Sequence, residues 1–196
     1  GIDVPEVLGS RATYTLGAIG GWHGRTLQAG DELPIGVSGK LHPAHTEQAL
    51  PEALRQTIRK QVPLRVMPGL YDHRLSEAAR TNFYADEWSV ASEADRIGYR
   101  YKGGRPLAFL PREQPFGAGS DPSNIVDAGY PIGSIQVPSG QEPIILHRDA
   151  VSGGGYAMIA TVISADMDWV GQMQPNDKAQ FIAVDMATAL AARANQ

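Results

Sequence analysis

The chain has 196 residues, 42% of them hydrophobic and 19% charged, enough to bury a core as one large domain or two small lobes of a soluble globular protein. Its formal net charge of −4, carried with scattered basic residues, offers no continuous positive stripe for nucleic acid or an anionic membrane. The absence of cysteine excludes disulfides, thiolate catalysis and Cys-ligated metal, and suits a cytoplasmic location. No apolar run approaches the ~20 residues of a membrane-spanning helix, and the N-terminus lacks the sections of a signal peptide.

Position 1 opens a stretch, GIDVPEVLGSRATYT, that reads as the middle of a domain, so a truncated or processed chain is expected. Glycines and prolines, 22 and 14 of them, then punctuate short apolar runs. Strands are predicted at Pro34 to Val37, Val62 to Met67, Trp88 to Val90, Ile144 to His147, Ile159 to Ser164 and Gln180 to Val184. That rhythm is mainly β, a barrel or sandwich. Helices interrupt it. Leu50, Leu54 and Ile58 form one apolar stripe along a helix predicted over Pro51 to Lys60, with Pro51 suited to the first turn. Ser76 caps a second, to Tyr84. A third runs from Asp166 to Met173 and stops before Pro175. Asp185 caps a fourth within DMATALAARANQ. A soft boundary falls at the polar segment His42 to Pro51, and no repeat is evident.

The familiar chemical motifs are mostly missing. Gly36-Val-Ser-Gly-Lys40-Leu41 lacks the spacing and hydroxyl of a phosphate-cradling loop, so no ATP site is expected. The histidines at 23, 42, 45, 73 and 147 form no HExxH pair, and surface histidine is a stronger reading than a metal site. There is no GxSxG elbow. Two segments stand out instead. DPSNIVDAGYPIGSIQVPSG, Asp121 to Gly140, is too rich in polar side chains and turn formers for an ordinary core strand. It reads as a site-forming loop with Ser123, Asn124, Asp127 and Tyr130 close together. In isolation such a turn needs no ligand, because Asn and Asp hydrogen-bond their own backbone. Further on, Gly153, Gly154, Gly155 and Tyr156 lie between two apolar strands. Without Cβ atoms their amides could approach an anionic oxygen, although, taken alone, the run is better read as a sharp strand-to-strand turn whose glycines allow positive φ.

Taken together, GIDVPEVLGSRATYTLGAIGGWHGRTLQAGDELPIG (Gly1 to Gly36), SEADRIGYRYKG (Ser92 to Gly103), PSNIVDAGYPIGSIQVPSG (Pro122 to Gly140), PIILHRD (Pro143 to Asp149) and SGGGYAMIATVISADMDWVGQMQPND (Ser152 to Asp177) resemble the allophanate hydrolase subunit 2 family, also called the biotin-dependent carboxyltransferase subunit family. The resemblance runs almost end to end. PSNI and NFYADEWSV (Asn82 to Val90) are closer to its urea carboxylase branch. Family members carry a further N-terminal portion ahead of the GIDVP motif.

The resemblance implies a cyclophilin-like β-barrel with a few short helices, usually in two related lobes. Residues 1–41 would then be the remainder of an N-terminal lobe and residues 42–196 the C-terminal barrel lobe. It also implies a subunit 1 type partner chain, and a carboxyl group carried as carboxybiotin on a separate carrier domain and passed to urea or a related amide. Relatives act in ATP-dependent 5-oxoproline cleavage, and others are regarded as regulators acting on a histidine-kinase inhibitor. Carboxyl transfer needs hydrogen-bond donors for a carboxylate and for the charge developing on biotin's ureido oxygen, a base for the acceptor amine, and exclusion of water. For these tasks Asn124 is the expected acceptor-binding amide, and Asp127 and Tyr130 the groups that orient or relay protons. Arg96 or Arg100 would pair with a carboxylate, and Ser123, the Gly153, Gly154 and Gly155 amides and Tyr156 complete the expected contacts. Two departures stand out. Asp95 occupies a place where relatives commonly have Asn, losing a donor face and adding charge. Ala157 stands where many relatives have proline.

Overall fold

A computed structural model describes residues 1–37 and 49–196. His42, His45 and most of the expected boundary segment lie outside the described residues. The chain forms two compact units, Gly1–Arg55 and Gln56–Gln196.

In the first unit, β1 (Thr13–Tyr14) and β2 (Ile19–Gly20) make a short antiparallel hairpin around the turn Thr15–Gly17. The strand predicted over Pro34 to Val37 is a single bridge, Ile35 to Ile2. Asp31 closes the preceding turn: it accepts from Arg25 Nη1 and Nη2 at 2.8 and 2.7 Å and from the Gln28 amide at 2.7 Å. The helix predicted over Pro51 to Lys60 is only one 3-10 turn, Glu52–Leu54, after which Arg55 is extended. Its stripe is not buried: Leu54 and Ile58 are each 68% exposed. An isolated helix of that length is marginal in water without such burial.

The second unit is a closed barrel of seven strands. Its members are β3 (Gln61–Pro68), β4 (Trp88–Ala94), β5 (Gly98–Lys102), β7 (Ser134–Gln136), β8 (Ile144–Leu146), β10 (Met158–Val162) and β11 (Lys178–Ala183). Around the barrel the order is β10-β3-β11-β4-β5-β8-β7. β3 and β11 run parallel, with Lys178 opposite Gln61 and Ala183 opposite Val66; the other barrel pairs are antiparallel. The mainly-β barrel expected from the sequence is therefore what the chain forms. Period-two alternation explains β3: Val62, Leu64 and Val66 point inward, while Pro63 between them is exposed and Arg65 and Met67 are only partly covered. Trp88, Val90, Tyr101, Ile135, Ile145, Ile159 and Phe181 complete the interior.

Helix α1 (Glu77–Ala85) begins as predicted, with Ser76 Oγ accepting from the Ala79 amide at 3.1 Å. It buries Phe83, which stacks on Phe181 at a centroid distance of 4.6 Å. α2 (Met167–Gln172) puts Met167 and Val170 into the same core. Asp166 precedes α2 but does not cap it with its side chain; its carboxylate instead accepts from the Arg65 amide at 2.8 Å and from Arg65 Nε at 3.0 Å. α3 (Met186–Ala194) is capped by Asp185, which accepts from the Thr188 amide at 2.8 Å. Among the described residues no helix is long and apolar enough to cross a membrane.

Two strands of the second unit stay out of the barrel. β6 (Asn124–Gly129) and β9 (Gly153–Tyr156) form a separate antiparallel ribbon, with Asn124 opposite Tyr156, Ala128 opposite Gly154 and Gly129 opposite Gly153. The segment read as a loop thus holds strands β6 and β7. The glycine run is neither a tight connection nor a positive-φ turn: Gly153, Gly154 and Gly155 are extended, and none has positive φ.

Candidate functional site

The ribbon brings together the two segments that the sequence singled out, PSNIVD and GGGY. A network of short bonds fixes its entry. Asp121 Oδ1 accepts from the Ser123 hydroxyl and amide at 2.7 and 2.8 Å, and Asp121 Oδ2 accepts from the Ser139 hydroxyl at 2.6 Å. These donors hold the Asp121 carboxyl below the usual carboxylate range, Ser139 contributing most. Ser123 is buried, and its oxygen also accepts from the Ser139 amide at 2.9 Å, so this hydroxyl is engaged on both sides.

Tyr130 is only 8% exposed, and its hydroxyl knits the ribbon's far strand. It accepts from the Tyr156 amide at 2.8 Å and directs its proton to the carbonyls of Gly154 and Tyr156, at 2.5 and 2.7 Å. Burial pushes its pKa up. Gly154 suits this arrangement, because a Cβ there would stand 3.1 Å from the Tyr130 ring, closer than an ordinary contact. Tyr156 itself is exposed on its ring side. Asp127 is exposed. The side-chain nitrogen of Asn124 faces Gly119, 3.4 Å from where a Cβ would be.

The charged candidates on the barrel are tied elsewhere. Asp95 accepts from the amides of Ile97 and Gly98 at 2.8 and 3.1 Å, which makes the turn between β4 and β5. Arg96 makes a two-pronged pair with Asp149, both bonds 2.8 Å, and holds that carboxyl below its ordinary range. Arg100 lies 3.4 Å from Glu142. Their polar contacts thus run to residues 142 and 149 and to a local turn.

Two arginines that no sequence motif marks converge on the ribbon. Arg74, in the turn Asp72–Arg74 between β3 and α1, is only 7% exposed. Its Nη2 donates to the Pro122 carbonyl and, at 3.1 Å, to the Asn124 carbonyl. Arg112 Nη2 donates to the same Asn124 oxygen at 3.0 Å. Arg74 Nε and Nη1 are buried without a partner. Burial, then the neighbouring Arg112 charge, lowers the Arg74 pKa. No local spacing distinguishes Arg74 in YDHRLSEAAR; its significance arises only when the chain brings residues 74, 112 and 124 together.

A separate apolar cavity of about 360 Å³, lined by Met67, Ile132, Met167, Met186 and Leu190 with Arg148 and Arg193 among its other walls, contains none of the expected site residues. Among the described residues no group of three or more His, Asp or Glu side chains could hold a metal ion.

Comparison with known proteins bears on this geometry. Residues 1–183 match the family model for the carboxyltransferase domain, subdomain A and B. The chain is 35% identical over 192 residues to a putative urea carboxylase of Emericella nidulans, covering 97% of this chain and 15% of that protein. It is 33% identical over 196 residues to a 5-oxoprolinase subunit of Escherichia coli, covering 100% of this chain and 57% of the relative. The crystal structure of Kluyveromyces lactis urea carboxylase superposes with a TM-score of 0.83 at 35% identity, over 97% of this chain and 17% of that one. The chain therefore spans from about a seventh to a little over half of these relatives' lengths.

Proposed function

We propose, from the premise that the chain belongs to the family of carboxyltransferase domains, subdomain A and B, that the β6–β9 ribbon forms the acceptor end of a carboxyl-transfer site within a larger, biotin-dependent enzyme. The observation that carries this reading is Asn124. Its side-chain nitrogen lies near Gly119, and its main-chain carbonyl, just beside it, accepts from two guanidiniums. An amide offers a donor and an acceptor face to urea or to a lactam. Asp127, exposed on the same strand, is the carboxylate assigned to take the proton from the acceptor nitrogen. Tyr130 and Ser123 position the ribbon; Arg96 and Arg100 are paired with Asp149 and Glu142.

The positive charge gathered at Asn124 fits a bound carboxyl group, so the residues present suit this cofactor chemistry. When bound, carboxybiotin would supply the carboxyl carbon. The partners proposed are a subunit 1 type chain and a biotin carboxyl carrier domain, acting in the cytoplasm, with residues 1–41 as the remainder of an N-terminal lobe. A second reading, partnership in 5-oxoproline cleavage, is favoured by the match of the whole chain to the 5-oxoprolinase subunit of Escherichia coli.

The test is consumption of free carboxybiotin by the full-length protein with its partner chain, urea and 5-oxoproline competing as acceptors. Urea-dependent consumption that falls at least about tenfold in Asn124→Ala, with the fold intact, is the expected result. Consumption with neither acceptor from a folded pair overturns carboxyl transfer, and kinetics unchanged by Asn124→Ala remove the ribbon from the site.

A further inference from the structure

Arg74 presents an unbalanced charge. A guanidinium taken out of water is costly unless a carboxylate or several acceptors meet it, and buried charges in proteins are normally paired. Here the polar partners are two backbone carbonyls, both on Nη2, while Nε and Nη1 have none. The rings of Tyr71 and Phe109, at 5.8 and 6.0 Å, give it π faces but no countercharge. The second cation, Arg112, raises the cost further. Its Nη2 reaches the same Asn124 oxygen, so one neutral acceptor sits between two full positive charges. The fold ties the turn that carries Arg74 to the segment leading to Arg112, through Leu110, whose amide donates to the Arg74 carbonyl at 2.8 Å. The adjoining segment adds another unpartnered group: Gln114 Oε1 is buried without a donor, while Gln114 Nε2 donates to the Asp121 carbonyl at 2.6 Å.

We propose that Arg74 and Arg112 form a carboxylate-binding site beside Asn124. Two guanidiniums set at one oxygen match the two oxygens of a planar carboxylate better than any neutral ligand, because each can donate a charge-assisted hydrogen bond. Arg112, exposed, receives the ligand, and the anion gives the buried Arg74 the countercharge that the neutral Asn124 carbonyl between them does not supply. The proposal rests on the ribbon being the acceptor end of the site. Its carboxylate has two possible sources: an acceptor that carries its own acid group, as 5-oxoproline does, or the group being transferred.

Binding, separate from turnover, tests it. The full-length protein and its Arg112→Gln and Arg74→Lys variants, each checked for folding by thermal melt, are titrated by calorimetry with 5-oxoproline, with 2-pyrrolidinone as the same ring lacking the acid, and with bicarbonate. We expect at least one of the two anions to bind, 2-pyrrolidinone not to, and Arg112→Gln to weaken the anion about tenfold or more. Dependence of 5-oxoproline binding on Arg112 assigns the site to the acceptor's own carboxylate; dependence of bicarbonate alone assigns it to the transferred group. Binding of neither anion to the folded wild-type protein, or binding indifferent to Arg112→Gln, overturns the site. If carboxyl transfer proceeds while the titrations are silent, the arginine site alone is lost. Arginine-dependent binding without any transfer removes the functional reading and leaves the anion site standing.

Discussion

Tyr130 lies outside β9, yet its one hydroxyl reaches three backbone groups of that strand. The amide of Tyr156 and the carbonyls of Gly154 and Tyr156 all turn to it. Tyr130→Phe should therefore cost about 0.5–1.5 kcal/mol, the net worth of a typical hydrogen bond, at this part-buried site. Urea denaturation measures it, and an unchanged midpoint would mean that water replaces the hydroxyl at no loss. Asp121 makes a different residue-scale prediction. Its folded pKa is depressed by Ser139 and Ser123, so its contribution to stability is fully present above the unfolded value of about 3.9 and is lost as pH falls through the lower folded value. Asp121→Asn should lower stability at pH 7 and flatten its decline below about pH 4. A variant whose acid unfolding curve runs parallel to the wild type's would remove Asp121 from that account.

At the scale of elements, the ribbon is where the sequence was least legible. β9 consists of three glycines and a tyrosine, and β6 mixes Asp, Ala and Gly, so neither carries the alternation of β-branched and aromatic residues by which a strand is recognised. Their pairing depends on Tyr130, which lies outside both strands. The helices tell the converse: Ser76 and Asp185 announce α1 and α3 by local capping alone, whereas the Leu50, Leu54 and Ile58 stripe has the right spacing and stays exposed. If β9 exists because Tyr130 lies over bare glycine, then Gly154→Val must force that ring aside, since even a Cβ would be 3.1 Å from it. Overpacking of this kind costs about 1–3 kcal/mol. Amide exchange should accelerate at Tyr156 well before it changes in the barrel strands, and uniform acceleration throughout would contradict an independent ribbon.

For the whole molecule, the barrel was legible through its apolar strands, such as β3 with Val62, Leu64 and Val66 inward, whereas β5 and β7 carry no such alternation and were not predicted. The parallel joint between β3 and β11 and the meeting of Arg74, Arg112 and Asn124 depend on contacts between distant parts of the chain, which no local pattern encodes. That same joint makes β11 the strand on which closure turns. Phe181 lies on it within ring contact of Phe83, Trp88 and Tyr101, so α1, β4 and β5 all meet one side chain. Phe181→Ala should cost about 3–5 kcal/mol, from lost burial and the cavity left behind. Against a typical domain stability of about 5–15 kcal/mol, that is a large share of what keeps the barrel folded. Near-UV signals of the aromatic cluster and far-UV signals of the strands should move together to a lower denaturant midpoint, because loss of closure releases every strand at once. If the aromatic signal were lost at a concentration where the strands persisted, the cluster would be filling the barrel without holding it closed.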